Sequence, residues 1–348
     1  MIITKRISAI ITRAALLLAL PVCALSADAQ DGSTAYQFLN VSPSTHVYAL
    51  GGHNISIIDD DINLVEQNPA LLGPEFNKQV GLNYMKYIGS TNFMGARYGQ
   101  GIDDHSAFAA AIQYYGYGKM TMTDVEGNEM GTFDARDICF SATYSRDIVE
   151  GWRGGATLKY VSSHYESYSA GALAVDLGVN YYDPDHNFSA SLVVKNLGGE
   201  VKKFGEKRNS LPWDIQVGIS KGLGRSPVTA SITLYNLRRW HLPYYTPGDK
   251  NTATSELVKK ESFGSNLLRH LVFGIDIQPS NNLYLAIGYN YKVRTDMSTY
   301  KRSFLSGFSL GAGLKVRAFG FGVAFAQPHN GASTFMFNLT TSIGELLR

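Results

Sequence analysis

The chain has 348 residues, with 31 Lys and Arg against 29 Asp and Glu, and 45% of its residues are hydrophobic. Nearly balanced charges do not form the basic footprint of a nucleic-acid-binding protein, and the hydrophobic content is too high for a disordered chain. Beyond the N-terminal region there is no apolar run of the roughly 20 residues that a membrane-spanning helix needs. The composition therefore predicts a folded protein without a bundle of membrane helices.

The first 29 residues predict an export signal. Lys5, Arg6 and Arg13 precede or flank a short apolar stretch, and Ala27-Asp28-Ala29 fits the small-residue rule for cleavage. A lipoprotein signal at Cys23 is the alternative, but Val22 stands where a small residue is usual. Cleavage after Ala29 leaves Cys139, which cannot form an internal disulfide and is expected to face the inside of a strand.

Residues 30–79 lack a sustained alternation of apolar and polar residues. They contain Gly51-Gly52, an acidic run at 59–61, and Asn68-Pro69-Ala70. The spacing of the three aspartates does not match the separated oxygen ligands of a calcium loop, so a solvated or helix-capping acidic turn is expected. This segment is interpreted as a hatch or plug, because a wide barrel cannot fill its interior with wall side chains alone.

From residue 80 to 348 the sequence alternates with a period of two, which is typical of β-strands with one apolar face. Leu173, Val175 and Leu177, for example, alternate with Ala174 and Asp176. The pattern predicts fourteen strands, at 80–88, 92–100, 105–115, 137–147, 152–163, 171–182, 187–197, 213–221, 227–237, 270–278, 282–293, 304–316, 319–327 and 333–343.

The lengths of the connections indicate how these strands are arranged. Connections after even-numbered strands are short, as at 317–318, whereas several after odd-numbered strands are long, as at 116–136 and 238–269. Outer-membrane barrels have short periplasmic turns and long outer loops, together with an even strand number. The sequence therefore predicts an all-β fold, a 14-stranded antiparallel transmembrane β-barrel with both ends of the strand series on the periplasmic side.

A barrel in a bilayer also accounts for the two rows of each strand. Every backbone polar group in the hydrocarbon layer needs a partner, so the sheet must close on itself. The outward row is expected to contact lipid, and the inward row is expected to face a polar lumen. Tyr and Trp residues are expected at the membrane interfaces. The charged residues predicted to point inward are Lys159, Asp176, Lys195, Asp276 and Lys292, and the predicted interface aromatics are 114–115, Trp152, 181–182, Trp213 and Trp240.

The residues of the N-terminal segment resemble a known family. Gly51-Gly52, the acidic run at 59–61 and Asn68-Pro69-Ala70, placed before a predicted 14-stranded barrel, resemble FadL-type outer-membrane proteins with an N-terminal hatch. More narrowly, residues 35–40, 49–56 and 83–85 are similar to the PorQ family, outer-membrane components of the type IX secretion system of Bacteroidota. The resemblance extends over the mature chain and is sharpest at residues 33–88.

That resemblance implies an accessory role in the outer membrane. Members of the family belong to an attachment complex with PorU, PorV and PorZ, which processes secreted cargo and attaches it to lipopolysaccharide. The resemblance thus implies a non-enzymatic scaffold that anchors a PorZ-like surface partner. It carries no catalytic residue and no cofactor onto this chain, and the eight His residues show no metal-ligand spacing.

The longest predicted outer connection is the candidate partner-binding loop. Arg238, Arg239, Trp240, Tyr244 and Tyr245 stand near its start, and Arg and aromatic residues are frequent anchors of interfaces. The alternative for the basic residues of the outer loops is a contact with lipopolysaccharide phosphates. This contact is compatible with binding of a protein partner by the same loops. The alternative function is a FadL-like channel for uptake of hydrophobic small molecules, which would need an apolar path through the lumen.

Overall fold

The computed structural model describes residues 34–204, 208–242, 244–247, 257–260, 262–296, 304–329 and 332–346. The predicted signal peptide and its cleavage site lie outside these residues. The strands, numbered in chain order, are β1 Gln79–Lys86, β2 Asn92–Asp103, β3 Ser106–Thr123, β4 Glu129–Val149, β5 Trp152–Tyr165, β6 Tyr168–Asp183, β7 Phe188–Lys202, β8 Asp214–Gly222, β9 Val228–Leu234, β10 Tyr244–Pro247, β11 Leu257–Lys260, β12 Leu271–Ser280, β13 Leu283–Asn290, β14 Phe308–Val316, β15 Phe319–His329 and β16 Ala332–Ser342.

Fourteen of these strands close into an antiparallel barrel. Each pairs with its neighbours along the barrel, β9 pairs directly with β12, and β1 pairs with β16 from Gln79↔Ser342 to Lys86↔Phe335. The remaining two, β10 and β11, form a separate two-stranded sheet within the connection from β9 to β12. The predicted 14-stranded antiparallel barrel is therefore confirmed.

The period-two pattern sorts the side chains of the barrel wall. On β6 and β7, Leu177 and Leu192 are 45% and 46% exposed, whereas Asp176 and Ser191 are almost fully buried. Large apolar residues are exposed in the same way around the barrel, as at Ile275 and Phe337. Such a continuous apolar belt is what a lipid environment favours, because in water it would be a costly exposed surface. The belt is the physical reason that the alternation recurs in every strand of the barrel.

The two ends of the barrel differ in their connections. At one end the strands are joined by short turns, at 104–105, 150–151, 184–187, 223–227, 281–282 and 317–318. This end also holds the start of β1 and the end of β16, and by the rule for outer-membrane barrels it is the periplasmic end. The other end, called the outer end below, holds the connections that include 203–213, 235–270 and 291–307.

Several predicted boundaries are wrong at the outer end. Most of the predicted loop at 116–136 is strand, because β3 and β4 continue as a paired hairpin with a tip at 124–128. Residues 291–293, predicted as strand, belong to a helix at Tyr291–Asp296. There the side chain of Asn290 accepts a hydrogen bond from the backbone of Val293, which begins the helix. Residues 304–307 form turns before β14.

The helices of the described residues are short. The α-helices are α1 Thr45–Ala49, α2 Phe263–Arg269, α3 Tyr291–Asp296 and α4 Ile343–Leu346, and 3-10 helices lie at Gln37–Asn40, Ile62–Glu66, Pro69–Leu71 and Pro74–Phe76. In the described part of the chain, none of them has the length and hydrophobicity needed to cross a membrane.

Residues 34–78, called the N-terminal segment below, pack against the inner face of the barrel. The segment starts at the outer end, where Thr34 forms a bridge with Ser210, and Phe38 packs on Tyr115. Its path continues through α1 beside β13–β16 and reaches the periplasmic end at Asp60, which pairs with Lys315. It then returns to mid-lumen at Glu66 beside Arg97, and leads down into β1.

Glycines in the wall let this segment approach closely. A Cβ atom on Gly155 would lie 2.5 Å from the backbone of Pro69, and one on Gly288 would lie 2.1 Å from the backbone nitrogen of Gly51. Both distances are far below van der Waals contact. Wall and segment are thus fitted to each other backbone against backbone.

Candidate functional site

The motif residues of the N-terminal segment lie inside the barrel. Gly51 and Gly52 have φ of 100° and 85°, values that favour glycine, and they follow α1 where the segment turns toward β12 and β13. Asn68 accepts a hydrogen bond from the backbone of Ala70 and donates one to the carbonyl of Ile55, and Pro69 opens the 3-10 helix against Gly155 and Gly178. These residues set the path of the segment, and no substrate chemistry follows from them.

A network of buried charges joins the segment to the wall at mid-lumen. Glu66 accepts a hydrogen bond from Arg97 of β2 and lies 2.8 Å from the ammonium group of Lys159 on β5. Lys159 also lies 2.6 Å from the carboxylate of Asp176 on β6. Lys195 of β7 donates to the side-chain carbonyl of Gln67. The inward orientation predicted for Lys159, Asp176 and Lys195 agrees with this placement. The two lysines contact the segment at Glu66 and Gln67, whereas Asp176 contacts residues of the wall.

A second polar cluster contains the acidic run. His46 on α1 contacts two carboxylates, Asp59 at 2.5 Å and Asp276 of β12 at 3.1 Å, and its ring stacks on Tyr284. When both ring nitrogens donate to carboxylates, the imidazole carries a positive charge. Asp61 caps the 3-10 helix at 62–66 by accepting from the backbone of Asn63, and Asp60 is exposed beside Lys315.

The acidic run is therefore divided among three separate roles, and Asp61 is the helix-capping residue that its sequence context indicates. Within the described ranges, no group of three or more His, Cys, Asp and Glu side chains is placed to hold a metal ion.

Cys139 is free and buried on the inner face, as its position on an alternating strand indicates. Lys292, in contrast, lies on α3 and pairs with Asp296 one helical turn later.

The described residues of the candidate partner-binding loop lie at the outer end of the barrel. The guanidinium of Arg238 lies 4.7 Å from the ring centre of Trp213, and partial burial, followed by repulsion from Arg239, lowers the pKa of Arg238. Trp240 stacks on His270 at 5.0 Å and remains 40% exposed. The ring of Tyr244 lies against the buried guanidinium of Arg269. The side chain of Tyr245, on β10, is outside the described part.

The structure therefore separates the four predicted loop residues whose side chains it describes. Arg238 and Arg239 line a cavity at the outer end, whereas Trp240 lies at the surface with Phe263 of α2, whose ring centre is 6.2 Å away and which is 73% exposed. Tyr244 helps to hold the loop on α2. Among the described residues of this loop, large apolar side chains are exposed at Trp240, Phe263 and Leu268.

The outer cavity has a volume of about 450 Å³. Its floor includes Gly52 and His53 of the N-terminal segment, and its wall includes Trp213, Gln216 and Tyr235. The ring of His53 stacks on Tyr235 at 4.3 Å. Trp213, predicted as an interface aromatic, lines the cavity, where it precedes β8 and packs against Arg238. No sequence pattern marks this cavity, since its lining comes from seven separate parts of the chain.

A second cavity lies at the periplasmic end and has a volume of about 710 Å³. The N-terminal segment contributes Ile57 and Ile58, and the wall contributes Asn180 together with the turn between β4 and β5. The two cavities lie on opposite sides of the segment. Between them the segment is packed against β8 and β9, as Asn54 and Ser56 show by their hydrogen bonds to Ser231 and Ser220.

Comparison with known proteins identifies the architecture. No protein-family model matches the sequence, and no curated protein has significant sequence similarity to it. Among solved structures, the toluene transporter TbuX of Ralstonia pickettii is 11% identical, with a TM-score of 0.52 over 86% of this chain and 97% of that one.

Two further solved structures are similar to the same degree. A FadL homologue of Pseudomonas aeruginosa is 11% identical, with a TM-score of 0.52 over 86% of this chain and 98% of that one. The toluene transporter TodX of Pseudomonas putida is 12% identical, with a TM-score of 0.51 over 87% of this chain and 96% of that one. This chain has the fold of the FadL-type outer-membrane barrels.

Proposed function

We propose that the chain is a non-enzymatic outer-membrane scaffold of the type IX secretion attachment complex. Its outer loops would hold a PorZ-like surface protein and, through it, partners of the PorU and PorV type. Basic residues at the end of β7 and in the connection to β8, such as Lys202 and Arg208, would contact phosphates of lipopolysaccharide. The sequence resemblance at residues 33–88 supports this assignment.

The observation that carries the proposal is the way in which the lumen is filled. Glu66 lies between Arg97 and Lys159, and all three side chains are at least 95% buried. Displacing the segment would leave uncompensated charges in the interior, which is strongly unfavourable. A barrel whose interior is fixed in this way is suited to carry binding surfaces on its outer loops, and the loop with β10, β11 and α2 provides such a surface.

A FadL-like channel for hydrophobic small molecules is the second candidate. The cavities at both ends of the lumen favour it, as does the fold shared with proteins described as toluene transporters. The inner face between the cavities argues for the scaffold, because its side chains there are polar, as at Ser220 and Ser231. Apolar solutes passing along it would leave these hydroxyl groups without hydrogen bonds.

The first prediction tests the scaffold. Residues 244–260, which contain β10 and β11, are replaced by a short Gly/Ser linker, while Trp240 and Asn266 are kept because the amide of Asn266 bonds to the loop at Trp240 and Leu242. We expect a folded barrel that no longer retains the PorZ-like protein at the cell surface. The measurement is a pull-down combined with surface proteomics.

A matched control shortens a different outer element. Removing the paired tip of the β3–β4 hairpin, residues 120–133, leaves the candidate loop unchanged and is expected to preserve the partner. If the loop variant retains the partner at the wild-type level and takes up hydrophobic compounds less well, the channel replaces the scaffold as the assigned function. If both variants release the partner, the candidate loop is not the specific contact.

A further inference from the structure

A third cavity, called the acidic pocket below, lies at the periplasmic end of the barrel and has a volume of about 180 Å³. It is bounded by the N-terminal segment, by the turns at 281–282 and 317–318, and by the end of β16. Of the lining side chains that the structure describes, five are carboxylates and one is an ammonium group. They are Asp59, Asp60, Asp61, Glu75 and Glu345, with Lys315. The pocket is therefore strongly acidic.

Partners within the protein neutralise only part of this charge. Three of the five carboxylates have a cationic partner, and the one partner that lines the pocket is Lys315, which lies 2.6 Å from Asp60. This pair is close to solvent, since the two side chains are 41% and 68% exposed. Asp61 and Glu345 form no ion pair with the residues that the structure describes. The pocket therefore retains an excess of negative charge.

Buried oxygen atoms of the pocket lack a hydrogen-bond donor. Asn338 on β16 is only 7% exposed, and its amide nitrogen donates to Asp61 at 3.1 Å, while its side-chain carbonyl has no partner among the described residues. Gln79 at the start of β1 has the same arrangement. Its amide nitrogen donates to the backbone carbonyl of Asp60 at 2.7 Å, and its own side-chain carbonyl is buried and unpaired within the described part of the chain. Unpaired acceptors cost free energy, so these oxygens are available to a donor from another molecule.

These features are complementary to a primary alkylammonium group. Such a group has three N–H donors and no acceptor, so it can bond to carbonyl oxygens and offset the charge of carboxylates at the same time. A calcium ion instead needs several carboxylates around one point, and in the described ranges no group of three acidic, His or Cys side chains is placed to hold a metal ion. Phe76, Tyr284 and Ala318 also line the pocket and offer apolar contact to the methylene stem of an amine.

The size and position of the pocket favour an amine that belongs to a polypeptide. Its volume is below the roughly 300–1,000 Å³ of a typical small-molecule site and suits a single side chain. Asp59 and Glu75 also line the periplasmic cavity of about 710 Å³, so the two cavities are adjacent, and Ile58 in that cavity is 42% exposed. A chain that places a lysine in the acidic pocket can therefore place a neighbouring apolar side chain against Ile58.

We propose that the acidic pocket binds the ammonium group of a lysine side chain carried by a polypeptide in the periplasm. The side-chain carbonyls of Asn338 and Gln79 accept its N–H groups, and Asp61 and Glu345 offset its charge. The pocket lies at the opposite end of the barrel from the candidate partner-binding loop. This interaction therefore goes beyond the scaffold role and does not depend on it.

The test measures peptide binding to purified full-length protein in nanodiscs by ligand-observed NMR titration, which detects weak complexes. The probe is a peptide with capped ends, Gly-Leu-Gly-Lys-Gly, and its control carries norleucine in place of lysine, which keeps the stem and removes the ammonium group. We expect the lysine peptide to bind several-fold more tightly than the norleucine peptide. Gln79→Leu should weaken binding of the lysine peptide several-fold because an acceptor is lost, and Gln79→Glu should strengthen it because the acceptor becomes charged.

A matched pair of variants separates the pocket from the general charge of this end of the barrel. Glu345→Gln removes a carboxylate of the pocket and is expected to weaken binding several-fold, whereas Asp185→Asn, in the turn between β6 and β7, removes the same charge and is expected to leave it unchanged. Equal binding of the two peptides, equal weakening in these two variants, or unchanged binding in both Gln79 variants would overturn the proposal. So would displacement of the peptide by calcium chloride or by 1,5-diaminopentane at concentrations below that of the peptide, because the pocket would then take a metal ion or a free amine.

Discussion

Glu66 illustrates how single residues determine the structure of the lumen. Its carboxylate meets Arg97 from one side of the barrel and Lys159 from another, so it joins the N-terminal segment to β2 and β5 at once. Lys159 keeps a second partner in Asp176, whereas two nitrogens of Arg97 already have no partner in the described residues. The positive charge of Arg97 therefore depends most on Glu66.

This dependence leads to the second prediction. Glu66→Ala should lower the free energy of unfolding by about 3–5 kcal/mol, because one member of a buried ion-pair network is removed and a buried charge is left uncompensated. Denaturant titration of the purified barrel in detergent measures this. Glu75→Ala is the control, since Glu75 is 53% exposed in its pair with Arg153, and a loss below about 1 kcal/mol is expected there. Equal losses in the two variants would contradict the role given to Glu66.

At the residue scale, the sequence predicts which charged residues of the barrel wall point inward. It does not predict the ion-pair network that they form with the N-terminal segment. The period-two alternation places Lys159, Asp176 and Lys195 on the inner face because each lies on a regular strand. Glu66 lies in a segment without periodicity, and its partner Arg97 is 31 residues away in the chain. Since the path of the segment is set by contacts with several strands, no local pattern indicates which charges it will meet.

At the scale of the elements, each barrel strand has one face for lipid and one for the interior. On β6 the lipid face carries Leu173 and Leu177, and the inner face carries Ala172, Ala174 and Asp176. This division into a lipid-facing row and an inward-facing row ends where the strands extend beyond the outer surface of the membrane. On the β3–β4 hairpin both faces are accessible, and Met130 and Val125 are exposed without forming an apolar row.

The third prediction uses this difference. Leu177→Arg should destabilise the folded barrel by about 2–4 kcal/mol, because it places a charge on the lipid face near the middle of the bilayer. Met130→Arg is the matched control, as Met130 is 65% exposed on the hairpin, beyond the paired part of β5. A change below about 0.5 kcal/mol is expected there. Heat-modified mobility in detergent gels ranks the two, and an equal effect would show that Leu177 does not face lipid.

The same difference explains which elements could be predicted. All fourteen barrel strands follow from the alternation, because the bilayer imposes it on each crossing. The extension of β3 and β4 beyond residue 116 could not be predicted, since a hairpin wetted on both faces has no reason to alternate. The helix at 291–296 was missed because Tyr291 and Val293 continue the strand pattern by chance, whereas the side chain of Asn290 ends the strand.

At the scale of the whole molecule, the parity of the connections orients the barrel. Turns of a few residues lie at the end where β1 begins and β16 ends, and the longer connections lie opposite. The fourth prediction follows from this orientation. An epitope inserted at Gly127, in the tip of the β3–β4 hairpin, should be labelled on intact cells, whereas one at Asp185, between β6 and β7, should be labelled only after permeabilisation.

Whole-cell antibody binding measures this, and permeabilised cells serve as the control in which both epitopes must be detected. Asn251, in the longest outer connection, lies outside the described residues, so the hairpin tip is the better-defined insertion point. Labelling of the Asp185 epitope on intact cells would show that the barrel has the opposite orientation. The cavity assigned to the outer end would then face the periplasm, and the other cavity would face the cell surface.

The position of Thr34 at the outer end has a consequence for biogenesis. The seam between β1 and β16 joins the beginning and the end of the strand series, so it forms when every other strand has been synthesised. From that seam, the N-terminal segment extends back through the packed interior to the outer end, where Thr34 forms a bridge with Ser210. Inserting the segment into an already closed barrel would require its contacts with the inner face of the wall to be broken. The segment must therefore be enclosed while the sheet curls around it. A stably folded domain fused immediately before Thr34 would therefore stall insertion at the last strand pairing.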